Sequence, residues 1–301
     1  MPMKKIFALS LLLCLLQIPY LNGQDIDQLL KELSDDKTPN YTFGTFKGTT
    51  IINGQSVEVP GNYDLRFIIS HRFGEISQGI YTFFGLDQGT TRLGFEYGFN
   101  DNMSISIGRN NFEKIYDGGI KLRLLRQQTG LRSIPVTISV FTSFFIKTVK
   151  WEIPDRENLY SSRLSYMNQI LIARKFNQKI SIQISPTHIH KNLVPTPQDQ
   201  NNIFAVGMGA RYKLGKKFSL NGEYFYLIPG KTADDYINNL SLGFDIEAAG
   251  HVFQIHATNS QAMFGRGFIT ETAGSWEEGN IYLGFNIYRV FPLNKNDRNK
   301  Q

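Results

Sequence analysis

The stretch Asn239-Leu240-Ser241-Leu242-Gly243-Phe244-Asp245-Ile246-Glu247 alternates small or polar residues with large apolar ones at every step. A β-strand turns successive side chains to opposite faces, so this segment has one polar and one apolar side. The same period of two recurs along the chain. Asp64, Arg66, Ser70 and Arg72 oppose Leu65, Phe67, Ile69 and Phe73, and Arg92, Gly94, Glu96 and Gly98 oppose Leu93, Phe95, Tyr97 and Phe99. Ser181, Gln183 and Ser185 alternate with Ile180, Ile182 and Ile184, and Asn280, Gly284 and Asn286 with Ile281, Leu283, Phe285 and Ile287.

A soluble β-sandwich also alternates, with its apolar face as a packed core. Strand length separates the two cases. The runs here extend over roughly 9 to 14 residues, longer than the 5 or 6 usual in globular sheets and matching the 9 to 11 that cross a membrane on a tilt. Connection lengths give an independent test, because outer-membrane barrels alternate short periplasmic turns with longer external loops. Counting back from a last strand read over 279–291, the connection 259–278 is long, Ala249-Gly250 tight, 229–235 longer, Gly215-Lys216 tight, 191–201 long, Asn177-Gln178 tight and 150–158 long. Further upstream 127–133 is intermediate, Asn100 to Asn102 tight and 74–89 long, and only 111–113 is shorter than its side of the barrel demands. The expected fold is therefore all-β, a transmembrane antiparallel up-and-down barrel of about twelve strands starting near Asn62, with fourteen as the alternative. An even count puts both termini in the periplasm and leaves the strand-like stretch Phe43 to Asn53 outside the wall.

The ends of the chain fit export from a Gram-negative cell. Lys4 and Lys5, the apolar run Ile6 to Leu16 and the exit at Asn22-Gly23 read as a signal peptide over 1–23, too short to span a bilayer as a helix. Cys14, the only cysteine, lies inside it, so disulfides, thiolate metal sites and cysteine nucleophiles are excluded from the mature chain. Residues 24–60 form a periplasmic or plug-like segment, with Ile26, Leu29, Leu30 and Leu33 at helical spacing before Pro39. Residues 61–291 form the barrel and 292–301 a polar tail. Removing Lys4 and Lys5 and no acid lowers the formal net charge from +6 to +4, too mild and too dispersed for nucleic acid. Outer-membrane lipid is the implied surroundings, and a periplasmic protein a candidate partner for residues 24–60. Gly284 to Phe291 resembles the glycine-plus-aromatic signature by which assembly machinery receives outer-membrane strands, although the chain continues ten residues beyond it.

On the polar parity the early strands supply Asp64, Arg66, Arg72, Arg92, Glu96, Lys121 and Arg123, which in a barrel face the lumen. Two readings stand: a charged, water-filled constriction that selects solutes by sign, or a lumen packed with ion pairs. His188 and His190 share a face, but a structural metal site needs four ligands, so no metal or other cofactor is expected. His256 and Thr258 sit at strand spacing as a general base and hydroxyl would, the basis of an exceptional lipid-hydrolase reading in a chain otherwise read as a non-enzyme. Tyr224, Phe225, Tyr226, Tyr282 and Tyr288 near strand ends suggest an interfacial aromatic girdle.

Several runs also resemble a family of Gram-negative outer-membrane β-barrel proteins of unassigned function. They are Phe46-Lys47-Gly48-Thr49-Thr50 to Asn53-Gly54, Asp64-Leu65-Arg66, Ser70-His71-Arg72-Phe73-Gly74 and Phe84-Gly85-Leu86-Asp87. Thr91-Arg92-Leu93-Gly94 with Glu96-Tyr97-Gly98, Gly108-Arg109 and the end from His251-Val252-Phe253-Gln254 to Phe291 extend the match. The resemblance implies a fold and a membrane, with no reaction or ligand. Three functions follow as expectations: a passive pore for small solutes, a non-conducting scaffold for periplasmic proteins, and, third, an outer-membrane lipid hydrolase.

Overall fold

The computed structural model describes residues 38–293, apart from positions 152, 156, 195, 198, 231–235 and 249. The expected signal peptide, the helix before Pro39 and the polar tail after Leu293 lie outside the described residues. Twelve antiparallel strands close into one barrel: β2 Asp64–Glu75, β3 Gly89–Asn100, β4 Met103–Asn110, β5 Ile115–Leu125, β7 Thr137–Lys147, β8 Leu164–Lys175, β9 Ile180–Lys191, β10 Asn202–Lys213, β11 Phe218–Leu227, β12 Asn239–Ala248, β13 His251–Thr258 and β14 Tyr282–Pro292. Each pairs with its neighbours in sequence. The last pairs with the first, Ile287 opposite Ile69 and Pro292 opposite Asp64. Two short strands, β1 Pro39–Tyr41 and β6 Gln128–Gly130, form a separate ribbon at the end where the chain enters the barrel.

At about 3.3 Å per residue and a tilt near 40°, ten residues rise about 25 Å, the height of a lipid-facing band. The apolar parity supplies that band. Leu93, Phe95, Ile105, Ile107, Phe144, Ile170, Ile182, Phe204, Met208, Leu242 and Ile255 all point outward with more than a third of their surface uncovered. A continuous apolar girdle of that extent is stable only against lipid. The opposite parity is buried and polar: Ser70, Ser104, Ser139, Gln169, Gln183, Asn221, Ser241, Asp245, Gln254 and Asn286 all face inward.

Two details differ from expectation, and the one short connection has a local cause. The last strand begins at Tyr282 rather than 279, because Asn280 and Ile281 still turn, with backbone bonds to Ser275 and Gly279. Tyr288 and Phe225 belong to the lumen and not to an aromatic girdle, buried to 5% and 4% exposure. The parity that turns Asn286 inward carries Tyr288 with it, two residues on. The short connection 111–113 is as short as it looks, a 3-10 turn at Phe112–Lys114 made in so few residues by positive φ at Glu113 and Lys114.

Twelve strands enclose more space than their own side chains fill. The chain fills the rest from both ends. Residues 44–60 enter from the end of the tight turns, and the loop 259–281 folds in from the other, carrying a buried one-and-a-half-turn helix, α1 Gly265–Thr270. Phe46, Ile51, Ile52 and Val57 of the first insert and Phe264, Phe268 and Ile269 of the second join Phe141, Phe145, Met167, Leu171, Ile189 and Phe225 of the wall in one apolar core.

Candidate functional site

The first insert is a tight hairpin. Ile51 N–H donates to Gly54 O and Ser56 N–H to Thr49 O, with Thr50 bridged to Gln55, so the tip at residues 51–54 carries backbone groups that its own turn cannot satisfy. The wall satisfies them. Glu223 on β11 accepts from the N–H groups of Asn53 at 2.7 Å, Gly54 at 3.0 Å and Ile52 at 3.1 Å. Gln254 Nε2 donates to Ile51 O at 2.7 Å and Asn286 Nδ2 to Ile52 O at 3.1 Å. Further down, Val57 N–H donates to Gln183 Oε1, Gln183 Nε2 to Gln55 O and Ser139 Oγ to Val57 O, at 2.9, 2.7 and 3.0 Å. A carboxylate gathering three N–H groups is a strong, charge-assisted arrangement, and it fixes the tip in place. Gly54 allows it: a Cβ there would lie 2.7 Å from the Phe225 ring.

The seven charged residues singled out from the sequence bear on the same hairpin to different degrees. Arg66 lies 4.1 Å from the Tyr288 ring centroid, donates to the Thr49 hydroxyl and stands 3.7 Å from Glu96. Glu96 accepts from Thr49 and from Ser104 Oγ. Lys121, 1% exposed, donates to the carbonyls of Thr49 at 2.9 Å and Glu58 at 3.0 Å. Arg123 pairs with Glu58 at 3.3 Å, and Arg72 donates to the Asn53 side chain. Arg92 is paired bidentately with Asp117 of β5, at 3.0 and 2.5 Å, and touches the hairpin only across a shared gap. Asp64 opens β2 at the rim, its N–H on Gly61 O. The inserted chain brings its own partners, with Lys47 paired to Glu247 and Glu58 to Arg123.

Sequence reasoning missed the residue that holds the tip, Glu223, its companion Gln254, and Asp117, the partner of Arg92. Asn221 and Glu223 share the inward parity, but the aromatic run Tyr224-Phe225-Tyr226 masks the alternation there. Between the hairpin and α1 remains a cavity of about 60 Å³, lined by Asn53, Arg72, Arg92, Asp117, Phe264 and Phe268, room for a few waters. Ile52, Val57, Phe268 and Ile269 on either side of it are each at most 3% exposed.

The remaining candidates do not assemble. His256 faces the lumen, buried, and neither ring nitrogen has a hydrogen-bond partner among the described residues. The Thr258 hydroxyl is engaged by Ser241 at 2.8 Å and Asn239 at 3.2 Å, so no base–hydroxyl pair forms. His188 and His190 face outward and both meet the Asn202 side-chain oxygen, at 3.0 and 2.9 Å. Among the described residues no group of three or more histidine, cysteine, aspartate or glutamate side chains converges as a metal site would require.

The profile of a family described as "Membrane bound beta barrel domain (DUF5777)" matches residues 46–291, from the inserted hairpin to the end of the last strand. Solved structures with a similar fold include the NanC porin, at 10% identity and TM-score 0.48 over 75% of this chain and 98% of that one. Outer membrane phospholipase A from Escherichia coli follows at 11% identity and TM-score 0.43, over 76% of this chain and 90% of that one. Omp33 from Acinetobacter baumannii is similar at 10% identity and TM-score 0.40, over 79% of this chain and all of that one. No curated protein matches the chain.

Proposed function

Since the chain belongs to the membrane bound beta barrel domain family, we propose that it is an outer-membrane barrel held closed at rest, with residues 44–60 as a resident plug and the loop 259–281 as a second closure. Solutes pass only when both inserts leave the axis. The observation that carries this reading is the Glu223 carboxylate gathering the three N–H groups of the hairpin tip. Polar groups of the tip and the wall satisfy one another where an open pore would present them to water, and buried groups so paired are costly to separate. The charged parity then serves packing around the plug rather than a permanent constriction. No reaction is assigned, because the His256–Thr258 pair lacks its hydrogen bond.

The test is conductance across a planar lipid bilayer, with folding verified by heat-modifiable gel mobility. The intact mature chain should be silent, and a variant lacking both 44–60 and 262–272 should give steady steps. Steady steps from the intact chain would refute the closed state. Silence from the well-folded double deletion would instead support a non-conducting scaffold, with residues 24–60 as the segment offered to a periplasmic partner.

A further inference from the structure

The end of the barrel opposite the hairpin's entry holds a second charged assembly. The loop 259–281 and the ends of the strands around it enclose a vestibule of about 860 Å³, within the roughly 300–1,000 Å³ of small-molecule sites. Among the described residues its charged lining is Lys147, Arg163, Lys191 and Arg266 against Glu113 and Glu271, four cations to two carboxylates. Both carboxylates are shared. Arg266 reaches Glu113 at 2.6 Å and Glu271 at 3.1 Å, Lys191 reaches Glu271 at 2.8 Å and Lys147 reaches Glu113 at 2.5 Å. Arg163 lies 3.7 Å over the Trp151 ring and donates to the backbone oxygens of Lys147 and Val149, each at 2.7 Å, with no carboxylate paired to it among the described residues. Arg266 is 9% exposed, and its Nε is buried without a hydrogen-bond partner among the described residues.

Cations in a recess whose walls exclude much of the water are driven to complete their neutralisation, and the recess focuses their field on whatever anion enters. Asn259, Ser260, Gln261 and Tyr236 add neutral polar groups to the same lining. The Tyr236 phenol is pushed upward by partial burial and then by the Glu271 and Glu113 carboxylates, so it remains a neutral donor at physiological pH.

We propose that this vestibule binds a small organic anion carrying two or more carboxylate or phosphate groups, held by Arg266, Lys191 and Arg163. Among the described residues the lining carries an excess of two positive charges, and that excess sets the charge of the guest. Ser165 and Lys191 of the lining lie on the inward parity of their strands, and Asn259, Ser260 and Arg266 are buried, away from the outward lipid band, which makes the guest a solute rather than a lipid headgroup. The proposal goes beyond the closed-barrel reading and does not depend on movement of the hairpin.

The experiment is titration calorimetry of the full mature chain folded in non-ionic detergent at low salt, with citrate and inorganic phosphate as probes and choline and sucrose as controls. Citrate should bind saturably. Lys191→Gln and Arg163→Gln should each weaken it about tenfold, the loss expected for one charged hydrogen bond. Both variants should keep normal heat-modifiable mobility, and the variant lacking 44–60 should bind citrate as the intact chain does. Absence of binding to either anion up to about 10 mM, a free energy too small for a built site, would overturn the proposal. So would citrate affinity unchanged in both variants, or choline binding as well as citrate.

Discussion

Glu223 is the residue on which the closed lumen turns. Its carboxylate is buried among the N–H groups of Ile52, Asn53 and Gly54, with Arg72 donating to the Asn53 side chain beside them. Replacing it by alanine leaves those three donors without an acceptor, at about 1–3 kcal/mol for each that water cannot reach. Glu223→Ala is expected to let residues 51–55 exchange their amide hydrogens quickly while the wall strands stay protected. Unchanged protection at the tip would show that the apolar contacts of Ile51, Ile52 and Val57 suffice. Gly54→Ala reaches the same end by another route, since its methyl would collide with the Phe225 ring. It should resemble Glu223→Ala in exchange and leave heat-modifiable mobility intact.

The two inserts differ as elements. The hairpin is held mainly by hydrogen bonds and ion pairs to polar wall side chains, whereas α1 is held mainly by burial of Phe264, Phe268 and Ile269 against the wall. A helix of six residues has no stability of its own in water, so α1 exists because the barrel interior receives its apolar side chains. Phe268 sits edge-on to Phe225 at 5.1 Å between centroids. Phe268→Ala should cost about 3–5 kcal/mol of local stability through the cavity it leaves. The predicted readout is faster protease cleavage within 259–281 of the folded protein, with the hairpin still protected. Equal cleavage rates in both proteins would mean that the Arg266 ion pairs hold the loop without the ring.

At the scale of the whole molecule, the barrel separates two solvents with opposite demands. The outward parity meets hydrocarbon, so a charge there should destabilise the whole fold. Ile107, 61% exposed on the outward face of β4, is a direct probe. Ile107→Lys should lower stability in lipid vesicles by about 2–4 kcal/mol if the site lies near the bilayer midplane. The measurement is the urea midpoint of reversible unfolding. The same substitution at Tyr81, 93% exposed in the connection between β2 and β3, serves as control and should change little.

Alternation along the chain determined most of the wall by itself: the class, the twelve strands, which ends carry long loops, and which side chains face inward. These are local properties, because a period of two and a turn of given length are written within a dozen residues. The inward set included Arg66, Glu96 and Lys121 for that reason. What fills the lumen was decided only by the tertiary structure. The partners of the hairpin tip, Glu223, Gln254 and Asn286, lie some 170 to 234 residues away in sequence. The charges of the vestibule meet only because loops from several hairpins converge on one rim. Parity says that a polar side chain points inward. Whether it meets water or another part of the chain depends on how much of the enclosed volume the inserts occupy, and no local pattern carries that volume.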